Sequence, residues 1–585
     1  MDSAHKIEIR DGMVVEWDAP IAMSDGLILR ADIFRPFDGQ PVPAILSYGP
    51  YGKGLDFREG YKTAWEMMEK NHPDAVSGTS NRYANWEVVD PEKWVPDGYA
   101  CIRVDSRGAG RSPGYLSHNN RRESRDIYES IEWVAQQSWC SGKVGMNGIS
   151  YYASNQWRAA ALQPPHLAAI CVWEGWSDAY RDGFRHGGIA CTFRKNWQDL
   201  QVKTVQHGVG TRGKVNPNTG ELVCGPETLD EAQLIENREN MWGEILQREL
   251  SDEWYEERTP DLSKVLVPLL SAANWGGQGL HLRGNIEGFL AAGSKQKWLE
   301  AHGHSHWAPF YTDWGVALQK EFFNCFLKGE RNGWESRPPL MLNIRHPQEQ
   351  FELRHETEWP IARTQWTRFY LHPQDMSLGT ELPAQSTTTS TLSYQAQDPQ
   401  GLQFVTPPLD MPLELTGPSA LKLRVASSTV DADLFVILRV FDPEGNEVLF
   451  EGAMDPQAPV TQGWLRASHR KTDAALSLPY RPFHPHDEKW PLTPGEFVDL
   501  DIEIWPTCIA IPKGYRLAVQ IKGTDFDHGL TPASLSNVKY PMRGCGPFIH
   551  DDEQDRPAHV FHNKVTVSFA KDCQPYILLP VIPAR

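Results

Sequence analysis

The chain has 585 residues, more than one hydrophobic core usually supports, so we expect two or three domains. A hydrophobic fraction of 40%, a charged fraction of 23% and a mean hydropathy of -0.49 are typical of a soluble globular protein and argue against disorder or a membrane-embedded chain. The net charge of -18 would repel a phosphate backbone, so we expect no nucleic-acid partner.

The sequence also bears on location. No apolar run approaches the roughly 18 residues that a membrane-spanning helix needs, and the first residues lack an apolar signal segment. The nine cysteines are scattered and form no C-x-x-C pair, which predicts reduced, buried thiols and no disulfide framework or zinc site. We therefore expect a cytoplasmic protein without a membrane partner.

The amino-terminal third combines two patterns. Alternating apolar and polar residues on both sides of Met23–Leu27 predict a β-hairpin over residues 13–36. A helix with Ile127, Ile131 and Val134 on one face is predicted further along the chain. Strand and helix alternate here, which predicts a largely parallel α/β sheet. The strands of this sheet are expected at the short apolar runs of residues 44–48, 100–105 and 144–146.

The rest of the chain changes pattern twice. A sixth apolar run, residues 167–173, is followed by a polar, charge-rich segment that we interpret as an inserted helical cap. The α/β pattern then resumes, and beyond residue 335 the apolar residues alternate with a period of two between Pro, Gly and Asp turns. The predicted units are an α/β core of residues 1–177 and 263–335, a helical cap of residues 178–262, and an all-β sandwich of residues 336–585.

Ser150 is the first candidate catalytic residue. It directly follows a predicted strand, with Gly148 two residues before it and a helix pattern after it. This arrangement is that of a nucleophile elbow, a sharp turn that exposes a serine Oγ above the sheet and needs small neighbours. An ordinary turn serine is the alternative, because Tyr152 stands where a second glycine is usual. The position after the predicted fifth strand favours the nucleophile.

His306 is the candidate general base. In an α/β-hydrolase the base is a histidine after the last strand, and His306 lies there in the segment His302-Gly303-His304-Ser305-His306. Three histidines at alternate positions could instead bind a metal ion. Because no set of acidic ligands accompanies them, we expect no metal site and no cofactor.

These residues resemble the CocE/NonD hydrolases of the S15 group, which is X-Pro dipeptidyl-peptidase-like, and the likeness runs nearly end to end. The resemblance implies an α/β-hydrolase core with an inserted helical cap and a C-terminal jelly-roll domain of the galactose-binding-like type. In such enzymes a tyrosine follows the nucleophile, as Tyr151 does here, so Tyr152 is no objection to the elbow. The matching segments are residues 49–53, 105–112, 148–151, 178–181, 305–306 and 491–496.

The resemblance also implies an oxyanion hole. Its two donors are the backbone N–H after the nucleophile and a tyrosine hydroxyl from an early loop, which fall on Tyr151 and Tyr51. In a dry site each such donor contributes about 3 kcal/mol to stabilising the transition state. The alternative for Tyr51 is a loop aromatic whose hydroxyl is bound by water.

The acid of the triad is the point where this chain departs from the family. The family's acid normally follows the seventh strand, but the corresponding loop, residues 274–279, contains no carboxylate. The end of the sixth strand is the other acid position in this fold. Glu174 is our first candidate there, because it is closest to the strand end and longer than aspartate, and Asp178 is the second. Glu287 and Asp313 are more distant candidates, and a dyad without an acid is the remaining possibility.

The sequence therefore predicts a serine hydrolase that cleaves a carboxylic ester of a small molecule. An amidase, an X-Pro-type peptidase or an acyltransferase on the same fold is the alternative. A protein of another class, an impaired enzyme whose β domain binds a ligand such as a glycan, is also considered. The large β-sandwich surface leaves room for a homodimer. The aromatic candidates for the substrate pocket are Tyr152, Trp173, Trp176 and Trp275.

Overall fold

The computed structural model describes residues 5–382, 390–570 and 573–583. Its first large sheet begins with the strands β1 (Lys6–Arg10), β2 (Met13–Ala22), β3 (Ile28–Pro36), β4 (Val42–Gly49), β5 (Ala100–Asp105), β6 (Cys140–Ile149) and β7 (Leu167–Trp173). A separate short hairpin follows, β8 (Arg185–His186) with β9 (Ile189–Ala190). The first sheet is completed by β10 (Leu269–Asn274), β11 (Lys297–His302), β12 (Leu340–His346) and β13 (Gln350–Glu356).

The pairing of these strands confirms the predicted mixture of a hairpin and a parallel sheet. β2 and β3 are antiparallel, as predicted for residues 13–36. The strands β5, β4, β6, β7, β10, β11 and β12 then run parallel in that spatial order. Their carboxyl ends consequently lie along one edge of the sheet, where α/β enzymes bind their ligands. The sheet continues through β13 to Glu356 and so extends beyond residue 335, the predicted end of the α/β core.

The helices from α1 to α12 pack around this sheet or belong to the inserted segment, and α13 lies in the C-terminal domain. The helix predicted around Ile127 is α4, which begins after an Asn120 side chain that accepts a hydrogen bond from the N–H of Glu123. The α-helices are α1 (Phe57–Gly60), α2 (Lys62–Asn71), α3 (Pro91–Trp94), α4 (Arg121–Ala135), α5 (Tyr151–Ala161), α6 (Phe193–Trp197), α7 (Glu231–Glu236), α8 (Met241–Gln247), α9 (Glu253–Arg258), α10 (Leu282–Ala291), α11 (Ala308–Tyr311), α12 (Asp313–Phe323) and α13 (Ala558–Phe561). Among the described residues no helix has the length and apolar character to cross a bilayer.

The second large sheet forms the C-terminal all-β domain. β18 pairs with both β21 and β24, so the sheet curves back on itself. Its core is aliphatic and aromatic, in keeping with the alternating pattern of the sequence. The strands are β14 (Gln365–His372), β15 (Ser377–Gly379), β16 (Ser390–Gln395), β17 (Leu402–Val405), β18 (Leu413–Ser427), β19 (Asp433–Phe441), β20 (Thr461–Arg466), β21 (Val498–Ile511), β22 (Arg516–Lys522), β23 (Lys564–Phe569) and β24 (Tyr576–Ile582). The molecule thus has the predicted fold class, an α/β-hydrolase core with a helical insertion and an all-β C-terminal domain.

Candidate active site

Five loops at the carboxyl edge of the first sheet build the candidate site. They follow β4, β6, β7, β10 and β11. Because these strands are parallel neighbours, loops that are far apart in sequence meet above the sheet. The side chains that they bring together are those of Tyr51, Ser150, Glu174, His281 and His306.

Ser150 occupies the sharp turn between β6 and α5. Its backbone has φ 60° and ψ -109°, a conformation that a non-glycine residue rarely adopts. Its N–H lies 3.1 Å from the carbonyl oxygens of both Trp173 and Glu174, which ties the turn to the end of β7. At Gly148, with φ 145°, a Cβ would lie 2.5 Å from the Cβ of Tyr152, so the turn requires glycine there. The geometry is that of a nucleophile elbow.

His306 lies between two carboxylates. Its Nδ1 is 2.7 Å from Oε2 of Glu174, and its Nε2 is 3.0 Å from Oε1 of Glu87. Since both ring nitrogens face a carboxylate, the imidazole binds them best as a cation that donates two N–H groups. Burial opposes this charge, but the attraction of Glu174 and the hydrogen bonds to Glu174 and Glu87 raise the pKa of His306 to about 10.

The two carboxylates titrate differently. Burial disfavours ionised Glu174, but the charge of His306 and hydrogen bonds from His302 and His306 outweigh it and lower the pKa of Glu174 to about 2. For Glu87 burial prevails over the opposing effect of His306 and raises the pKa to about 7. Within the described part of the chain, Oε2 of Glu87 is buried without a hydrogen-bond partner. Glu87 was not found by sequence reasoning, since it lies in a loop between helices and carries no recognisable motif.

Ser150 is hydrogen-bonded to a second histidine. Nε2 of His281 lies 3.1 Å from Oγ of Ser150, and Nδ1 of His281 accepts the N–H of Trp176 at 3.2 Å. Burial and the neighbouring His306 hold the pKa of His281 well below its usual range, so the ring is neutral. With Nδ1 acting as acceptor, the single ring proton is assigned to Nε2, which donates to Ser150. The rings of His281 and His306 are parallel, with centroids 5.4 Å apart.

Sequence reasoning also missed His281. It ends the loop after β10, the loop in which the family's acid is expected, and that search was for a carboxylate. A histidine near the start of α10, above the carboxyl edge of the sheet, was the available signal.

The two predicted oxyanion residues lie next to the elbow. The hydroxyl oxygen of Tyr51 accepts the indole N–H of Trp197 at 2.9 Å, so its own hydrogen is available for another acceptor. Burial, together with the charge of Glu87, raises the pKa of Tyr51 well above its usual range and keeps the hydroxyl protonated. Tyr151 is the first residue of α5, and the N–H of a first helical residue has no carbonyl partner within its helix.

The other acid candidates lie elsewhere. Asp178 accepts the N–H of Arg181 at 2.8 Å and forms an ion pair with the guanidinium of the same residue, also at 2.8 Å. Glu287 is paired with Arg481. Of the carboxylates proposed from the sequence, the structure thus brings Glu174 to His306.

A small pocket of about 20 Å³ lies above Ser150. Its walls come from the α/β core, from α6 of the inserted segment and from loops of the β domain. The β domain also holds the base in place, since the N–H of His306 donates to the carbonyl of Ala453 at 2.7 Å. The lining residues are Tyr51, Trp86, Glu87, Ser150, Phe193, Trp197, Gln201, Gly277, Leu280, His281, His306, Ala453, Met454, Asn537 and Phe548.

The four aromatic residues predicted for the pocket lie outside this lining. Tyr152 packs under the elbow against Gly49 and Gly148. Trp173 stacks on His302 with ring centroids 5.0 Å apart. Trp176 lies beneath the guanidinium groups of Arg158 and Arg194. The indole of Trp275 donates to the carbonyl of Asn343 at 2.9 Å. All four side chains are buried in the core and not in the pocket wall.

The three closely spaced histidines do not converge on one point. His302 lies 2.6 Å from Glu300 and 3.3 Å from Glu174, whereas His304 lies 3.2 Å from Glu451. Two other groups have ligand atoms within 4.8 Å of one another and so could hold a metal ion. They are His186 with Cys191 and His550, and His72 with His304 and Glu451.

The strained serine turn and the imidazole–carboxylate pair above a parallel sheet define an α/β-hydrolase of the serine type. Residues 25–308 match the family profile of X-Pro dipeptidyl-peptidase (S15 family), and residues 332–554 match that of the X-Pro dipeptidyl-peptidase C-terminal non-catalytic domain. A CocE/NonD family hydrolase from Staphylococcus aureus is 30% identical and has a TM-score of 0.81, with 97% of this chain and 94% of that chain covered. The chain belongs to the CocE/NonD hydrolases, as its motifs predicted.

Two further relatives show the range of the group. Cocaine esterase from a Rhodococcus species is 24% identical, with 86% of this chain and 90% of the relative covered. The Xaa-Pro dipeptidyl-peptidase of Lactobacillus delbrueckii subsp. lactis is 21% identical, with 89% of this chain and 74% of the relative covered. The similarity therefore spans both sheets in enzymes named for ester and for peptide substrates.

Proposed function

We propose that the protein is a serine esterase that cleaves carboxylic esters of small molecules. Ser150 attacks the acyl carbonyl, His306 takes the hydroxyl proton and returns it to the leaving alcohol, and Glu174 stabilises the imidazolium. The observation that carries the proposal is the strained turn of Ser150 in the same pocket as His306, whose Nδ1 lies 2.7 Å from Glu174. Water then hydrolyses the acyl-enzyme by the same proton transfers in reverse.

Two donors serve the oxyanion in this mechanism. As the Oγ–C bond forms, the carbonyl oxygen becomes negative and needs hydrogen bonds that are already in place. The Tyr51 hydroxyl and the Tyr151 N–H are proposed for this role, since Tyr51 lines the pocket and Tyr151 starts the helix after the nucleophile. The amino end of α5 adds its positive dipole.

The pocket favours a compact, apolar substrate. Its volume is only about 20 Å³, so a compact acyl group is favoured over a bulky one. Ester substrates are preferred in the proposal because of the similarity to cocaine esterase. The apolar side chains of the wall are Trp86, Phe193, Trp197, Leu280, Met454 and Phe548.

An X-Pro-type peptidase is the second candidate. The match of residues 25–308 to the S15 family and the similarity to Xaa-Pro dipeptidyl-peptidases favour it. The same nucleophile and base would serve, but His306 would then protonate a departing amine.

The test combines labelling with turnover. A fluorophosphonate probe, followed by peptide mapping, should label Ser150, and Ser150→Ala should reduce p-nitrophenyl acetate turnover by at least about 10³-fold. Parallel assays with an X-Pro p-nitroanilide separate the two candidates, since the better substrate class has the larger kcat/KM. A folded wild-type protein that is not labelled and whose turnover does not depend on Ser150 would contradict the proposal and favour a binding scaffold.

A further inference from the structure

In the described part of the chain, the hydrogen bonds around Ser150 leave no histidine ring nitrogen free to take its hydroxyl proton. Nε2 of His281 carries a hydrogen that it donates to Oγ of Ser150, because its Nδ1 accepts the N–H of Trp176. Nε2 of His306, the nitrogen that a triad directs at the serine, is 3.0 Å from Glu87 instead. Nε2 of the proposed base, His306, is thus bound to the Glu87 carboxylate, whereas in a working triad it binds the hydroxyl of the nucleophile.

Glu87 is held in this place by its backbone. Its carbonyl accepts the N–H of Ile149, the residue before the nucleophile, at 2.9 Å. Its φ of 63° is unusual for a glutamate and shows that the surroundings impose the conformation. The side chain lines the pocket with Ser150, and Oε2, buried there, has no hydrogen-bond partner among the described residues.

We propose that Glu87 is a positioning residue that competes with Ser150 for Nε2 of His306, so that the catalytic triad assembles only when the Glu87 carboxylate releases this nitrogen. The inference rests on the proposed function of Ser150 and His306.

The electrostatics of His306 agree with such a competition. Glu174 faces it from the end of β7, Glu87 from the loop before α3, and the neutral ring of His281 from the start of α10. Two carboxylates therefore hold one imidazolium and raise its pKa to about 10, so the protonated ring is the favoured form at neutral pH. A base must be neutral, so the resting arrangement suppresses the reaction at neutral pH.

The surroundings of Glu87 and Glu174 complete the charge balance. Four tyrosines next to Glu87 have a pKa raised by burial and are neutral: Tyr51, Tyr61, Tyr152 and Tyr311. Glu174 has a second partner, His302, which in turn pairs with Glu300. Removing the charge of Glu87 would leave one carboxylate on His306, so the pKa of the imidazole falls.

Release of the base is a simple proton transfer. The proton on Nε2 of His306 moves to Oε1 of Glu87, which becomes a neutral carboxyl group, and the imidazole is left with a lone pair on Nε2. Ser150 turns to this nitrogen and gives it the hydroxyl proton as the Oγ–C bond forms. His306 then passes that proton to the leaving oxygen. Glu87 keeps the proton that it received from His306 throughout these steps, so atoms and charges balance.

The experiment compares Glu87→Gln with Glu87→Asp and the wild type. For each, kcat/KM on p-nitrophenyl acetate and the rate of fluorophosphonate labelling are measured from pH 5 to pH 10, because kcat/KM reports the pKa of groups in the free enzyme. In Glu87→Gln the acidic limb of the pH profile of kcat/KM should move to lower pH by at least one unit. For each unit of this shift, kcat/KM at neutral pH should rise about tenfold. Glu87→Asp keeps the charge, so its limb should stay near that of the wild type.

The opposite result would overturn the inference. A Glu87→Gln variant that is slower than the wild type, or whose limb does not move, shows that Glu87 does not restrain His306. Near-UV circular dichroism verifies folding, and Glu87→Ala, which also removes the charge, replaces Glu87→Gln if that variant misfolds. Wild-type turnover that does not depend on Ser150 refutes the proposed function, whereas turnover that depends on Ser150 with an unmoved Glu87→Gln limb refutes this inference alone.

Discussion

The two large sheets bury different kinds of side chain. Along the carboxyl edge of the first sheet, carboxylates and imidazoles alternate in one buried chain. The core of the second sheet consists of fully buried aliphatic and aromatic side chains, such as Leu421, Val436 and Val519. Buried charge costs free energy unless it is paired, whereas buried apolar surface stabilises the fold. The hydrogen-bonded series of side chains at the first sheet is, in order, Glu87, His306, Glu174, His302 and Glu300.

This difference shows which part of the sequence is constrained by chemistry and which by packing. Substitutions at the carboxyl edge of the first sheet should reduce activity more than stability. Substitutions in the core of the second sheet should reduce stability and leave the chemistry of the folded enzyme unchanged. Four substitutions test this contrast.

Glu174→Gln should have the largest effect. The imidazolium of His306 loses the partner at Nδ1, and loss of the corresponding carboxylate charge in a serine triad lowers kcat by about 10⁴-fold. Steady-state kinetics on an activated ester measure the loss of kcat, and near-UV circular dichroism verifies that the variant is folded. Asp178→Asn is the control, because Asp178 pairs with Arg181 and not with His306. A severe loss only in the control would move the acid to Asp178.

Asp555→Asn tests buried charge at the boundary between the halves. The Asp555 carboxylate pairs with Arg185 of the inserted segment at 2.8 Å and with Arg466 of β20 at 2.9 Å. Removing one member of a buried ion pair typically costs about 3–5 kcal/mol, so the free energy of unfolding should fall by that amount in urea titrations. Lys422→Met, which removes a half-exposed partner of Asp501, should cost less than about 1 kcal/mol.

The same pair should make stability depend on pH. Burial favours the neutral acid, but Arg466 and Arg185 hold the pKa of Asp555 well below its usual range in the folded state. Its contribution is therefore complete above the unfolded pKa of about 3.9 and is lost as the pH falls below that value toward the folded pKa. Asp555→Asn should flatten this part of the pH–stability curve, and an unchanged curve would contradict the assignment.

Tyr51→Phe should have an intermediate effect on activity. Removing one oxyanion donor costs about 3 kcal/mol of transition-state stabilisation, or about 10²-fold in kcat, with little change in KM. Trp197→Phe removes the indole that orients the Tyr51 hydroxyl, and a smaller loss is expected there. If Tyr51→Phe kept full kcat, the hydroxyl would have no part in binding the oxyanion.

Leu421→Ala should have the smallest effect on the chemistry. Leu421 is fully buried in the second sheet, and its truncation should lower the free energy of unfolding by at least about 2 kcal/mol. The kcat of the folded protein, corrected for the folded fraction, should equal that of the wild type. A corrected kcat that fell together with the free energy of unfolding would show that packing in the second sheet also affects the chemistry at the first.

Much of the fold was predictable because the period of the apolar residues is a local property. The runs at 44–48 and 100–105 became β4 and β5, and Ile127, Ile131 and Val134 share the buried face of α4. The extent of the first sheet was harder to predict. β12 and β13 alternate as the C-terminal strands do, and only the pairing of β12 with β11 and of β13 with β12 assigns them to the first sheet.

The candidate site was predictable where a motif or a strand end marked it. Ser150, His306 and Glu174 each follow a strand, and parallel strands bring their ends together. Glu87 and His281 reach the same place from a loop between helices and from the start of α10, which no local pattern indicates. The residues that line the pocket were not predicted, for a related reason. Trp173 and Trp275 lie close to strand ends, but their rings are buried in the core.

The carbonyl of Ala453 and the side chains of Met454 and Phe548 reach the site from the second sheet, whose family counterpart is described as non-catalytic. The β domain therefore contributes part of the wall of the proposed substrate pocket. Exchanging its pocket loops between relatives would alter the shape of the cavity while leaving the nucleophile turn intact. A chimera joined between the two sheets must take the Ala453 loop and His306 from the same parent, because the N–H of His306 donates to the carbonyl of Ala453.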